Sequence, residues 1–138
     1  CLFGFICLNW YPSKVFMGDS GSLFLGSYLT SIIFSSNSLI DIIKILFLCS
    51  PLLLDSLLCI IRRLFNGQNI FKSHKLHLYQ RLVSNGFKHS DVSLIYIISI
   101  VFLSIFYLHS NLFYFSIAVL ATTITGIYLD KKYAINFN

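Results

Sequence analysis

The sequence predicts an all-α fold, a polytopic helical bundle that is integral to a membrane. Of its 138 residues 57% are hydrophobic and only 11% are charged, and the mean hydropathy is +0.80. Soluble domains carry about 25% charged residues, so this chain has too little polar surface to cover a body in water. The same composition excludes an intrinsically disordered chain, and it argues against nucleic acid as a partner despite the net charge of +5.

Four apolar stretches form the predicted spans, after an apolar stub at residues 1–8. They cover about residues 22–36, 39–64, 92–109 and 112–129. Each of the last two has eighteen residues without a charged side chain, and at 1.5 Å per residue it reaches ~27 Å, close to the ~30 Å hydrocarbon core. The first stretch is short for a span. The second contains Pro51 and Asp55, and we expect a kink there.

The basic residues predict the topology. Nine of the ten Lys and Arg residues lie before the first span, between the second and third spans, or after the last span, and Lys44 is the exception. The positive-inside rule therefore predicts that the loops at about 9–22 and 62–91 are cytoplasmic. The outer connections are then short and nearly uncharged.

The four cysteines are expected to be small buried hydrophobic residues. Each lies in an apolar stretch, without a CxxC pair or a spacing with His that suits zinc. They are Cys1, Cys7, Cys49 and Cys59.

The first loop places Asp19 between Gly18 and Gly21, where an apolar helix is predicted to begin. Glycines let the backbone approach a ligand closely, and the free N–H groups of a helix N-terminus attract anions. Asp19 is thus a candidate metal ligand, with the alternative that Asp19 or Ser20 is a helix N-cap. The tetrapeptide Gly-Asp-Ser-Gly also surrounds the nucleophile of serine proteases, but that chemistry needs His and Asp partners on a soluble β-barrel.

The second loop is predicted to contain one short helix on which His74, His77 and Arg81 share a stripe. Two imidazoles and a guanidinium suit a phosphate or diphosphate, because Arg is a planar bidentate donor and His can donate or relay a proton. The alternative is an interfacial amphipathic helix whose basic face meets anionic lipid head groups. Two His without a third ligand are a weak indication of zinc.

Asp55 is an ionisable residue inside an apolar stretch, which favours a functional role. Arg62 or Arg63 is the expected partner. A structural ion pair along one helix face, a role in the kink and a substrate role are left open.

Several of these motifs occur together in the order found in one family of membrane enzymes. They are Asn9, the run Lys14-Val-Phe-Met-Gly-Asp-Ser-Gly-Ser-Leu-Phe-Leu-Gly26, Pro51-Leu-Leu-Leu-Asp55, Arg62-Arg63 and His74-x-x-His77. The chain resembles the polyprenyl-phosphate N-acetylhexosamine-1-phosphate transferases, which include phospho-MurNAc-pentapeptide transferase and the GlcNAc-1-phosphate transferases. The resemblance extends to about Asp91, and the His-containing loop is most similar to the branch that starts O-antigen or related surface polysaccharides.

The resemblance implies a reaction between polyprenyl (undecaprenyl) phosphate and a UDP-N-acetyl sugar. A lipid-phosphate oxygen would attack the β-phosphorus, giving polyprenyl-diphosphate sugar and UMP. Mg²⁺ is the implied cofactor, and the inner (plasma) membrane is the implied location, with both partners reached from the cytoplasmic loops. A homodimer is left open.

The same resemblance implies roles for seven residues of this chain. Asp19 would be the Mg²⁺ ligand and, with His77 and His74, part of the catalytic set. Phe16 would stack on the uracil, Asn9 would form a hydrogen bond near it, and Ser22, His77, His74 and Arg81 would hold the diphosphate.

The chain also departs from the family pattern. The family's paired aspartates on an early cytoplasmic loop and its Asn/Asp-rich middle loop have no counterpart here. We therefore expect a C-terminal fragment of such a transferase, inactive alone. The rival hypothesis is a non-enzymatic polytopic protein, such as a transporter subunit or a membrane partner, in which Asp55 lies on an ion path.

Overall fold

The computed structural model describes residues 2–72, 75–109 and 111–135, and within them all regular structure is helical. The helices are α1 (Leu2–Asn9), α2 (Gly18–Phe34), α3 (Leu39–Leu48), α4 (Ser50–Phe65), α5 (Leu78–Ser84), α6 (His89–His109) and α7 (Leu112–Tyr133). The predicted all-α class is confirmed. The chain divides into two compact units, Cys1–Ile45 and Leu46–Asn138.

The first unit contains α1, the loop that follows it, and α2. This loop is folded back onto α1, since the backbone N–H of Lys14 donates to the carbonyl of Leu8 at 2.9 Å. Helix α2 begins at Gly18, whose φ of 64° lies in the left-handed region that favours glycine. The predicted stretch at 22–36 is thus a helix that starts four residues earlier and ends at Phe34.

The stretch predicted at 39–64 is broken in two, as its proline suggested. Helix α3 ends at Leu48 and α4 begins at Ser50, so Pro51 lies in the first turn of α4. Proline is tolerated there because the first N–H groups of a helix have no intrahelical acceptor. The two helices qualify as one membrane span only when they are taken together as a bent pair. The expected kink is confirmed.

Helices α6 and α7 are long and apolar enough to cross a membrane, with mean hydropathies of 2.2 over His89–Leu108 and 1.8 over Leu112–Tyr133. They match the stretches predicted at 92–109 and 112–129. Helix α7 continues through Lys131 and Lys132, which lie in its last turn, where cations are favoured by the helix dipole. The composition and these helices identify a membrane protein.

The second unit is built around the pairing of α6 with α7. Leu103 of α6 packs with Phe115, Ala118 and Val119 of α7 to form its buried core. Helix α4 packs on both α6 and α7, and the short helix α5 also contacts both. Most other apolar side chains of α6 and α7 are exposed, such as Leu108 at 73%, which suits helices that face lipid.

Candidate functional site

In the first unit Asp19 lies in the first turn of α2 and is exposed. The N-cap position is Met17, which makes no side-chain capping hydrogen bond. The alternative in which Asp19 or Ser20 is the N-cap is therefore wrong, because α2 begins at Gly18, before either residue. The hydroxyl of Ser22 donates to the backbone carbonyl of Asp19 at 3.0 Å, and its lone pairs can still accept hydrogen bonds.

Asn9 is the last residue of α1, and Phe16 lies in the loop that follows it. The side-chain amide of Asn9 donates to the carbonyl of Val15 at 2.8 Å and so closes the loop. The ring of Phe16 is 78% exposed. Asn9 thus has a structural role in addition to the one that the resemblance implies, and Phe16 offers an open aromatic face.

In the second unit the predicted His-containing helix is shorter than expected. Helix α5 begins at Leu78, and His77 precedes it with an extended backbone, φ −62° and ψ 150°. The backbone N–H of His77 donates to Oε1 of Gln80 at 3.3 Å. The expectation that one helical stripe carries His74, His77 and Arg81 is therefore wrong for His77, and His74 lies outside the described residues.

Asp55 of α4 organises the start of α5. Its Oδ1 accepts a hydrogen bond from the backbone N–H of Leu78 at 2.8 Å, and its Oδ2 accepts one from the Tyr96 hydroxyl at 3.2 Å. The Nδ1 atom of His77 lies 3.8 Å from the same Oδ2. The Asp55 carboxylate thus links α4 with α5 and α6, a role that its spacing from Arg62 did not indicate.

Asp130, near the end of α7, is the acidic residue that the sequence analysis missed. Its carboxylate pairs with Arg62 of α4 through one oxygen and with Arg81 of α5 through the other. The bridge joins three helices; its Arg81 arm is buried, whereas the Arg62 side chain is 36% exposed. One signal could have found it: Asp130 is the single acid at the end of an otherwise uncharged span, directly before two lysines.

Arg63, next to Arg62, holds the loop that leads towards the His residues. Its guanidinium donates to the backbone carbonyls of Ile70 at 3.2 Å, Lys72 at 3.1 Å and Asn69. The side chain is 4% exposed. The two adjacent arginines therefore have different structural roles, because Arg62 links helices and Arg63 holds a loop.

Tyr79 stacks on His77, with ring centroids 5.5 Å apart and an angle of 18° between the rings. Burial raises the pKa of the Tyr79 hydroxyl, and the negative charge of Asp55 adds to this effect. Tyr79 therefore stays neutral near pH 7, as a stacking partner rather than a proton source.

A cavity of about 90 Å³ lies between α4, α5, α6 and α7. Asp55, Arg62, Arg81 and Asp130 line it together with the hydroxyl groups of Ser99 and Thr122. Among the described residues, no group of three His, Cys, Asp or Glu side chains forms a metal site. The second unit thus presents two carboxylates held by donors, and one of them, that of Asp55, lies beside the imidazole of His77.

Comparison with known proteins shows which proteins the chain is similar to. Residues 1–37 match the family described as Glycosyl transferase family 4. Over 105 residues the chain is 38% identical to the probable undecaprenyl-phosphate N-acetylglucosaminyl 1-phosphate transferase of Bacillus subtilis, covering 72% of this chain and 29% of the relative. Over 110 residues it is 36% identical to the decaprenyl-phosphate N-acetylglucosaminephosphotransferase of Mycobacterium tuberculosis, covering 69% and 27%.

A relative with a different name is also similar to the chain. Over 82 residues the chain is 37% identical to the phospho-N-acetylmuramoyl-pentapeptide-transferase of Desulforudis audaxviator, covering 58% of this chain and 24% of the relative. The chain thus spans less than a third of the length of these relatives. No solved structure matches it significantly. The resemblance inferred from the motifs is confirmed: the chain is similar to the Glycosyl transferase family 4 enzymes, with the family match at residues 1–37.

Proposed function

We propose that the protein to which this chain belongs transfers an N-acetyl sugar 1-phosphate from a UDP-sugar to polyprenyl phosphate, releases UMP, and so initiates O-antigen or another cell-surface polysaccharide. The match of residues 1–37 with Glycosyl transferase family 4 carries the proposal. That segment contains four of the predicted site residues, Asn9, Phe16, Asp19 and Ser22.

In the proposed reaction an oxygen of the lipid phosphate forms a bond to the β-phosphorus of the UDP-sugar. The bond from this phosphorus to the bridging oxygen breaks, and its electron pair leaves with UMP. Such a transfer needs positioning and neutralisation of negative charge more than covalent catalysis. In the proposal Arg81 donates to the diphosphate, Nε2 of His77 takes the remaining proton of the lipid phosphate as its oxygen attacks, and the exposed ring of Phe16 stacks on the uracil.

Asp19 is the residue that we propose as the protein ligand of Mg²⁺. Mg²⁺ usually retains several waters and is bound by one or two carboxylates together with substrate phosphates, so a dedicated cage of protein ligands is not required. An exposed carboxylate in the first turn of α2 fits this pattern. When bound, the ion would neutralise charge on the phosphate oxygens.

We propose that the loops at about 9–22 and 62–91 each lie on the cytoplasmic side of the inner membrane. Nine of ten basic residues would then be inside. The rival ion path through Asp55 has less support, because its carboxylate already accepts hydrogen bonds from Leu78 and Tyr96.

The test is transfer of radiolabelled sugar phosphate from UDP-N-acetyl sugars to polyprenyl phosphate, in membranes that contain the complete gene product. We expect transfer to require Mg²⁺ and to fall at least ~100-fold in Asp19→Asn, since electrostatic contacts to the reacting phosphates contribute about that much. Asp41→Asn is the matched control, because Asp41 is also an exposed acid in the first turn of a helix.

The control variant should retain activity within about twofold, as is usual for an exposed site away from the chemistry. A folded natural protein that transfers label from no UDP-N-acetyl sugar would refute the proposed function. If Asp19→Asn were as active as Asp41→Asn, the metal role of Asp19 would be wrong.

A further inference from the structure

We propose that Asp55 is a positioning residue for His77. Its carboxylate holds the hydrogen on Nδ1 of the imidazole and so leaves Nε2 as the ring nitrogen that acts on a substrate phosphate. The orientation of the ring follows from contacts within the second unit, whereas its use on a phosphate rests on the proposed function.

The carboxylate of Asp55 is fixed at both oxygens. The backbone N–H of Leu78 donates to Oδ1 at 2.8 Å, and the Tyr96 hydroxyl donates to Oδ2 at 3.2 Å. Only 9% of the Asp55 side chain is exposed. Because donors on α5 and α6 hold it, the carboxylate has little freedom to turn away from the imidazole.

The imidazole is placed beside that carboxylate by the chain itself. His77 directly precedes Leu78, so the bond that caps α5 also brings the ring near Oδ2, with Nδ1 at 3.8 Å. Tyr79 stacks on the imidazole, at 5.5 Å between centroids. The distance of 3.8 Å is longer than a hydrogen bond, and the proposal is that this contact shortens in the substrate complex, as catalytic hydrogen bonds often do.

A carboxylate beside one ring nitrogen selects the tautomer of a histidine. It accepts a hydrogen from Nδ1, which fixes the ring and favours a positive charge when Nε2 meets an anion. A helix cap alone would need only Oδ1 of Asp55. The second oxygen, which faces His77 and Tyr96, is what indicates a role beyond capping.

Asp55→Asn separates the two roles. The amide oxygen can still accept from Leu78 and keep the start of α5, while the amide nitrogen then faces Nδ1 and donates to it. The hydrogen of a neutral His77 must then move to Nε2. The corresponding change beside a catalytic histidine preserves geometry and lowers turnover by ~10⁴ because the tautomer is wrong.

The tautomer can be measured without any assay of transfer. In protein labelled with ¹⁵N-histidine, the two ring nitrogens of His77 are assigned by comparison with His77→Gln, at a pH where the ring is neutral. We expect the Nδ1–H form in the natural protein and the Nε2–H form in Asp55→Asn. Tyr96→Phe is the matched control, because it removes one donor to Oδ2 but keeps the carboxylate, and it should retain the Nδ1–H form.

The catalytic consequence is measured in the complete protein. Asp55→Asn should lower kcat by about 100-fold or more, within the usual range for general acid–base groups, and leave KM for the UDP-sugar within about threefold. Asp91→Asn, an exposed acid in the first turn of α6, should leave both unchanged.

The two proposals fail in different ways. An Nε2–H form in the natural protein, or the same tautomer in the natural protein and in the Asp55→Asn variant, would overturn the positioning role even if the enzyme is active. A reversed tautomer in a protein that transfers no sugar phosphate would support the positioning of His77 and refute the proposed function. A reversed tautomer with undiminished kcat would overturn the use of His77 on substrate.

Discussion

Arg63 is a single buried residue that fixes the course of the loop after α4. Its guanidinium reaches the backbone carbonyls of Asn69, Ile70 and Lys72 at once. Lysine presents a point charge and cannot reproduce this planar set of donors. We expect Arg63→Lys to lower the free energy of unfolding by about 1–3 kcal/mol, because the buried cation then loses hydrogen bonds to the loop carbonyls. Thermal unfolding of the purified protein in detergent measures this loss.

The loop itself provides a second measurement of the same change. In Arg63→Lys we expect trypsin to cleave after Lys72 several times faster, because the released segment can enter the protease site. Lys88→Ala is the control, since Lys88 is exposed and precedes α6. Equal stability and equal cleavage in the two variants would mean that Arg63 does not hold the loop.

The sequence identified Asp55 as a residue with a specific role, but it did not identify the residues that Asp55 contacts. Asp55 was identified because a charge in an apolar stretch is costly. Its observed partners, Leu78 and Tyr96, are 23 and 41 residues away along the chain. Helical spacing relates only neighbours on one helix, so it could indicate Arg62 but not these residues.

At the scale of elements, Asp130 is the contact through which α7 holds α4 and α5. Removing one partner of a buried ion pair leaves the other charge uncompensated, which costs about 3–5 kcal/mol. We expect Asp130→Asn to destabilise the second unit by about this amount, because both Arg62 and Arg81 lose their carboxylate. Chemical unfolding in mild detergent checks the value, with the exposed acid variant Asp91→Asn expected to cost less than about 1 kcal/mol.

A double-mutant cycle separates the two arginines. If the bridge is the cause, Asp130→Asn combined with Arg81→Met should cost clearly less than the sum of the single changes. Additive costs would show that Asp130 does not stabilise α7 against α5 through Arg81. The side-chain amide of Asn85, which donates to the carbonyl of Tyr133 at 2.7 Å, is a second link between these helices and should be unaffected.

The observed ends of the helices agree with the predicted ones where the apolar run is long. They agree less well where a capping contact determines the end of the helix. Helices α6 and α7 match two predicted eighteen-residue runs. Helix α5 is only seven residues long and starts where Asp55 caps Leu78, a tertiary contact that periodicity does not contain. The residue types of the loop at about 62–91 therefore indicated a candidate site, but the geometry of this loop depends on its contacts with the other helices.

At the scale of the whole molecule, composition alone indicated a membrane protein, since exposed apolar side chains have no stable place in water. The large exposed surfaces of α6 and α7, with Ile98 at 64% and Leu120 at 62%, fit helices whose outer faces contact lipid. What composition cannot give is the sidedness of each loop, because both ends of a span are equally compatible with its length.

Sidedness can be measured on the ends of α6 and α7. If both helices cross the bilayer, Lys88 before α6 and Lys131 near the end of α7 lie on one side, and Asn111 between the two helices lies on the other. The positive-inside rule assigns the lysine side to the cytoplasm. All three residues are exposed, so single cysteines at these positions in a cysteine-free protein can be labelled.

In intact spheroplasts, a membrane-impermeant maleimide should label Asn111→Cys at once, and label Lys88→Cys and Lys131→Cys only after permeabilisation. Labelling of Lys88→Cys and not Asn111→Cys would reverse the topology and move the proposed active-site loop away from the cytoplasm, whereas labelling of all three would mean that α6 does not span.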